Sequence, residues 1–272
     1  MKKLRLFRLL SIIMLLMLGL IFSGCEFGLG EQPGGNQPAS PIDDFEWVLH
    51  DGGIRIIEYT GPGGAVRIPA EIDGFPVSSI GYRAFYRNQL TSITIPNSVT
   101  YIGAHAFSTN RLVGVTIPNS VTSIGQSAFW SNGLTSVTIP NSVTYIGNGA
   151  FARNELTSVV IPNSITSIGM GVFHENQLLT SVTIPNSVTS IGESAFAWNM
   201  SLASITIPPS VTFIGNNAFM LTRLTRITIG ANVDLGIYSF SGNGFVEAYN
   251  NGGRLAGTYT RPNLNTGVWT RQ

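Results

Sequence analysis

The chain of 272 residues predicts a β-rich solenoid: a right-handed coil of 22–23-residue repeats with parallel strands and a cap at each end. Three observations carry this reading. Ile-Pro recurs at Ile95, Ile117, Ile139, Ile161, Ile184 and Ile207. Ile-Gly recurs at Ile80, Ile102, Ile124, Ile146, Ile168, Ile191 and Ile214. A phenylalanine follows five residues after each of these latter isoleucines, from Phe85 to Phe219. A period that short and regular builds one coil per repeat, each stacked on the last.

Within the repeat from Leu134 to Phe151, each element has a local cause. Leu134, Val137 and Ile139 point inward while Ser136 and Thr138 point out, following the two-residue alternation of a strand. Pro140-Asn141 ends that strand, because proline presets φ for a turn and has no N–H for the ladder. Val143 and Ile146 turn inward again across a second short strand around Thr144-Tyr145. Gly147 marks a corner that requires positive φ or close backbone approach. Ala150 and Phe151 close the coil from a short helical turn. Asn88, Asn110, Asn132, Asn154, Asn176 and Asn199 each lie three residues after a phenylalanine. That column is expected to satisfy buried backbone groups along the stack rather than to bind a ligand.

The ends differ from the repeats. Residues 1–24 have a basic start, an apolar run of 14 residues from Leu9 to Phe22, and small residues before Cys25. They read as a lipoprotein signal peptide. Phe22-Ser23-Gly24-Cys25 resembles a bacterial lipobox, with phenylalanine in place of the usual leucine. Cys25, the single cysteine, is the expected lipidation site and rules out an internal disulfide. Residues 25–41, rich in Gly, Pro and Gln, are expected to form a flexible tether. Residues 42–78 are expected to hold the N-terminal cap and first coil, 79–240 the solenoid, and 241–272 a β-rich C-terminal cap. That last assignment rests on Tyr249, Tyr259 and Trp269, which are separated by Gly, Asn and Pro turns.

Charge excludes several functions. Of 15 basic residues, Lys2, Lys3, Arg5 and Arg8 fall in the signal, leaving 11 arginines against 14 acidic residues, about −3. No basic patch emerges, so nucleic acid is not an expected partner. After Gly74 the acidic residues are Asp234, Glu155, Glu175, Glu193 and Glu247, which form no paired-carboxylate pattern. His50, His105 and His174 share no repeat position, so no zinc site or nucleophile–base pair is predicted. The chain reads as non-enzymatic, with no cofactor.

With Leu-Thr-Ser-Val-Thr-Ile-Pro-Asn-Ser-Val-Thr recurring beside Ser-Ile-Gly-x-x-Ala-Phe, the chain resembles the BspA-like leucine-rich repeat proteins, treponemal members in particular. The likeness runs from about Ile54 to Phe240. Within it Glu58–Pro69 resembles the family's usual entry segment, and beyond it Ala256–Pro262 and Trp269–Arg271 resemble a C-terminal module of treponemal members. The likeness implies a surface-exposed or secreted protein, of a family whose members bind host matrix or plasma proteins or other bacteria. Together with the lipobox, it leads to the expectation of an exported protein, lipid-anchored in the bacterial envelope at its outer surface, that binds extracellular proteins or glycans in adhesion. It supplies no ligand residue. Two alternatives stay open: a carbohydrate-binding module stacking sugars on Tyr86, Trp130 and Trp198, and a structural envelope protein.

Candidate ligand-binding residues come from the slots where coils disagree. Tyr86, Trp130 and His174 directly follow the phenylalanine; Arg87, Arg153 and Trp198 come one residue later; Tyr101, Tyr145 and Phe213 precede Ile-Gly. Aromatic and arginine side chains of this kind are enriched in interface hot spots. Arg153 and Glu175 share a slot in adjacent coils and are expected to form a surface ion pair.

Overall fold

The computed structural model describes residues 38–240 and 244–272. The expected signal at 1–24, the lipidation site Cys25 and most of the 25–41 tether lie outside them. The last tether residues are held in place: the Ser40 N–H donates to the Arg67 carbonyl at 3.0 Å, and Ser40 Oγ accepts the Arg67 N–H at 3.1 Å.

Strand β1 (Phe45–His50) and β2 (Gly53–Tyr59) form an antiparallel hairpin around Asp51-Gly52. Both turn residues have positive φ, 49° and 76°, the geometry of a type I′ turn. Strand β3 (Gly64–Arg67) follows. Strands β4 (Glu71–Ile72) and β5 (Phe75–Ile80) then form a second small hairpin that contains the inserted Asp73-Gly74. From here the chain repeats.

Two parallel ladders run along the coils. One continues from β2 and β5 through Tyr101–Ile102, Ser123–Ile124 and Tyr145–Ile146, and the pattern resumes from Ser167–Ile168 to Asp234–Leu235. The other pairs β3 with Leu90–Thr94, Gly114–Thr116 with Ser136–Thr138, Ser158–Val160 with Ser181–Thr183, and Ser204–Thr206 with Arg226–Ile229. Registers join equivalent residues, such as Val137 with Val115 and Ile146 with Ile124, so the inward residues of all coils merge into one core. Between the ladders the proline carbonyl of each coil from Pro96 to Pro208 accepts the N–H three residues on, as from Val143 to Pro140 at 3.1 Å. That bond closes a β-turn in each of these repeats.

The phenylalanines form a continuous stack through the core. Ring centroids from Phe85 to Phe240 lie 4.8–5.8 Å apart, and neighbouring planes tilt by 2–22°. Their spacing follows the strand repeat, since each ring is fixed to a backbone that advances ~4.8 Å per coil. The Ile-Gly corner is explained by close approach. A Cβ on Gly147 would lie 2.4 Å from the Gln126 nitrogen and 2.6 Å from the Gly125 carbonyl carbon.

Two local expectations are corrected. The turn carrying each phenylalanine is not helical, for reasons given below. The segment from Phe245 is not wholly β: α1 (Phe245–Asn251) precedes strands Gly257–Thr260 and Thr270–Arg271. Phe245 and Tyr249 are four residues apart, which on a helix puts both rings on one face. Phe245 meets Phe240 edge-on at 4.7 Å, and Tyr249 Oη donates to the Gly230 carbonyl at 2.7 Å while accepting the Val233 N–H at 3.0 Å. The helix therefore seats its aromatic face on the last coil. Gly257–Thr260 pairs antiparallel with Arg226–Ile229, and Thr270–Arg271 with Gly257–Thr260.

Candidate functional site

The variable slots flank the buried phenylalanines, so the backbone there decides what each side chain can reach. Residues two before and two after each phenylalanine from Phe85 to Phe219 sit in the left-handed region. In the coil of Phe151 these are Gly149 at 65° and Arg153 at 56°; in that of Phe196 they are Ser194 at 54° and Trp198 at 63°. This alternation aims every second N–H along the stack. Gly149, Phe151 and Arg153 donate to the carbonyls of Met170, Val172 and His174 at 2.9, 3.0 and 2.8 Å. The remaining amides bond three residues back within the coil, as from Ala152 to Gly149 at 3.1 Å. A helical turn would spend all its N–H groups inside one coil and leave the next unpaired.

Asparagine completes the turn. Asn154 Nδ2 donates to the Phe129 and Phe151 carbonyls at 3.0 and 3.1 Å, and its Oδ1 accepts the Leu134 N–H at 3.2 Å. Asn110, Asn132 and Asn176 make the equivalent bonds. Each side chain clamps two coils together, leaving no free amide to offer a ligand. In the coil of Phe219, Thr222 takes this place with one bond to the Phe219 carbonyl at 2.8 Å.

The slot directly after phenylalanine is less exposed than expected. Ser108, Ala152 and Ala197 are buried there, and Tyr86, Trp130, His174 and Met220 are half-buried. Arginines from left-handed positions of the same or the next coil fold across this slot. Arg87 and Arg83 both lie over the Tyr86 ring, at 5.1 and 5.0 Å, and Arg153 lies over Trp130 at 5.3 Å. Arg153 also pairs with Glu175 at 2.7 Å, as their shared slot predicts, and Glu175 Oε2 is 3.9 Å from His174 Nε2. Burial lowers the His174 pKa; Glu175 opposes that shift and Arg153 adds to it. Trp198, exposed, occupies the Glu175 slot one coil on.

The nine candidate side chains therefore form three groups rather than one patch. Trp130, Arg153, His174 and Trp198 line four consecutive coils, beside a cleft whose walls include Glu155, Glu175, Gln177 and Leu178. Tyr86 and Arg87 belong to a separate cluster with Tyr82, Arg83 and His105, whose ring meets Tyr82 edge-on at 5.9 Å. Burial, and then Arg83, lower the His105 pKa. Tyr82 and Arg83 were missed by slot comparison; their signal is that the coil of Phe85 carries Tyr-Arg where later coils carry Ala-His, Gln-Ser, Asn-Gly, Met-Gly, Glu-Ser and Asn-Asn. Tyr101 and Tyr145 stand on the ladder that continues from β2 and β5, with Ser123 between them in register, and Phe213 lies further along between Ser190 and Asp234. Among the described residues, no group of three His, Cys, Asp or Glu side chains is placed to hold a metal ion.

Parallel ladders, a phenylalanine stack and asparagine clamps at 22–23-residue spacing define a bacterial leucine-rich repeat solenoid. The BspA type leucine rich repeat region matches residues 78–179 and 166–250 in six copies, and the chain belongs to that family. A leucine-rich repeat protein from Bacteroides ovatus is similar in structure, with 26% identity and a TM-score of 0.61 over 72% of this chain and 55% of that one. This chain thus spans about half the length of that relative. The T. pallidum leucine-rich repeat protein is 30% identical with a TM-score of 0.52, over 61% of this chain and 91% of the other. None of the curated proteins matches this sequence.

Proposed function

We propose that the protein is a non-enzymatic, lipid-anchored leucine-rich repeat protein of the bacterial cell surface that binds protein ligands in adhesion. Cys25 carries the anchor, and the run of Trp130, Arg153, His174 and Trp198 makes the contact. One observation carries this reading: aromatic and charged side chains line consecutive coils on a backbone pinned by hydrogen bonds to both neighbours. Such a row is preorganised and loses little freedom on binding. Family membership supports a repeat scaffold that acts through its surface.

The test is binding to a panel of extracellular matrix proteins, with Trp198→Ala and Arg153→Ala combined. Loss of at least tenfold in affinity supports the run as the contact; unchanged binding removes it. Labelling of intact cells with a membrane-impermeant reagent tests the location, and labelling only after the envelope is opened overturns the adhesive role.

A second reading, glycan binding, is supported by the ladder rather than by this run. Tyr101 and Tyr145 are exposed on one face two strands apart, ~10 Å, which is about one disaccharide of an extended chain. Tyr86 and Trp130 fit sugar stacking less well, because arginines already occupy a face of each ring. Retention on a polysaccharide matrix that Tyr101→Ala plus Tyr145→Ala abolishes would favour this reading over the first.

A further inference from the structure

The ladder ends are treated unequally. Ser40 covers the outer side of β3 through its bonds to Arg67. Gly257–Thr260 covers Arg226–Ile229, and Arg254 holds the turn at Asn232 that leads into the last, two-residue strand Asp234–Leu235. Strand β1 has six residues and no backbone partner on its outer side among the described residues. It contains no proline or lysine, and Val48 and Leu49 are exposed on it. An uncovered apolar edge of that length is a template for another strand. We infer that two copies of this chain pair antiparallel through Phe45–His50, with Val48 on the two-fold axis.

The hairpin sets the register. A two-residue type I′ turn closes on a hydrogen-bonded pair, here His50 with Gly53, and bonding alternates from there. Val48, opposite Arg55, therefore also directs its N–H and C=O toward β2. Trp47 and Leu49 direct theirs outward. The register shift near Glu46 leaves Ile57 as the extra residue on β2, so β1 itself stays regular. Centring the second copy on Val48 places Trp47 opposite Leu49 twice, which satisfies all four of these outward N–H and C=O pairs. A one-residue slip sets bonding residues against non-bonding ones and forfeits them.

Side chains select the same register. Centring on Val48 puts Glu46 opposite His50 of the second copy. Within its own hairpin Glu46 faces Glu58, an unfavourable pair of like charges. His50 Nδ1 already lies 2.8 Å from Asp51 Oδ2, so Nε2 is the ring nitrogen left to meet that carboxylate. A two-residue slip keeps the backbone bonds but sets Glu46 or His50 against Val48. The pairing requires neither the lipid anchor nor the adhesive ligand, so it stands or falls apart from the proposed function.

Cysteine cross-linking in the full chain, purified in detergent, tests this. Opposed residues of a non-hydrogen-bonded antiparallel pair lie ~4.5 Å apart at Cα, within disulfide reach. Val48→Cys is expected to oxidise to a covalent dimer, while the unaltered chain and Val160→Cys, more exposed to collision on the other ladder, stay monomeric. No excess of dimer for Val48→Cys over Val160→Cys overturns the pairing. Adding His50→Glu to Val48→Cys sets carboxylates against carboxylates and is expected to cut the cross-link at least fivefold. An undiminished cross-link overturns this register.

Discussion

Asn176 and Glu175 are neighbours in one turn, yet they answer to different constraints. Asn176 is fully buried, and its amide bonds the Phe151 and Phe173 carbonyls while accepting the Leu156 N–H. Glu175 holds positive φ, gives its N–H to Ala197 of the next coil, and leaves its side chain to meet Arg153 in solvent. The backbone of both is fixed by the stack, whereas only the side chain of Asn176 is. Variation between coils therefore reports freedom of the side chain, not mobility of the chain, and a binding surface here can change its chemistry without changing its shape.

The strongest way to break this contrast is at the inner column. Phe151→Ala removes a ring stacked between Phe129 and Phe173 and is expected to cost about 3–5 kcal/mol, read as a lowered denaturant midpoint. A cost no larger than that of a surface change would mean that the stack relaxes to fill the gap. Asn176→Ala leaves a buried N–H and two buried carbonyls short of a partner, for about 2–3 kcal/mol. The same change at Asn132, only partly buried, should cost less. Equal losses at the two positions would show that burial is not what sets the value of the clamp.

The outer slots should respond in the opposite sense or hardly at all. Leu221 carries φ 56° with its side chain exposed, so Leu221→Gly relieves a left-handed strain of ~1–2 kcal/mol and is expected to stabilise by roughly 0.5–1 kcal/mol net of glycine's entropy. A thermal midpoint that falls instead would assign the leucine a packing role. The smallest effect concerns acid. His174 and His105 have pKa values lowered by burial, so the folded chain binds fewer protons than the unfolded one. Stability from these two groups is thus present above their unfolded pKa of ~6.5 and declines as pH falls through it toward the lower folded values. Melting as a function of pH, with His174→Gln and His105→Gln, should show a shallower acid decline in the double variant; an identical curve would place the titration elsewhere.

Much of the fold was legible because each coil repeats its own constraints. The inward isoleucines, the Ile-Gly corner with no room for a Cβ, and the asparagine clamp all recur at one period. Such a column needs one residue type at every level. The candidate site was legible only in part. Slot comparison marked Arg153, Trp130 and His174 as variable, but it placed Trp130 and His174 in the open when both are half-buried, Trp130 beneath Arg153 of the next coil and His174 beside Glu175. It also left Tyr101, Tyr145 and Phe213 in one set with the others, although they stand on a separate ladder. At the C-terminal end, aromatic spacing was read as strand. The helix there sets Phe245 against Phe240 and Tyr249 against the backbone of Gly230 and Val233 from a single face.

The sequence by itself determined the period, the identity of the inward columns and the position of each turn, since those depend on local patterns that every repeat restates. Tertiary structure alone decided which variable slots reach solvent, where the left-handed residues send their side chains, and which ladder end is left without a partner. Those outcomes depend on the neighbouring coil or the terminal segment lying against a residue, and no window of 22 residues contains that neighbour.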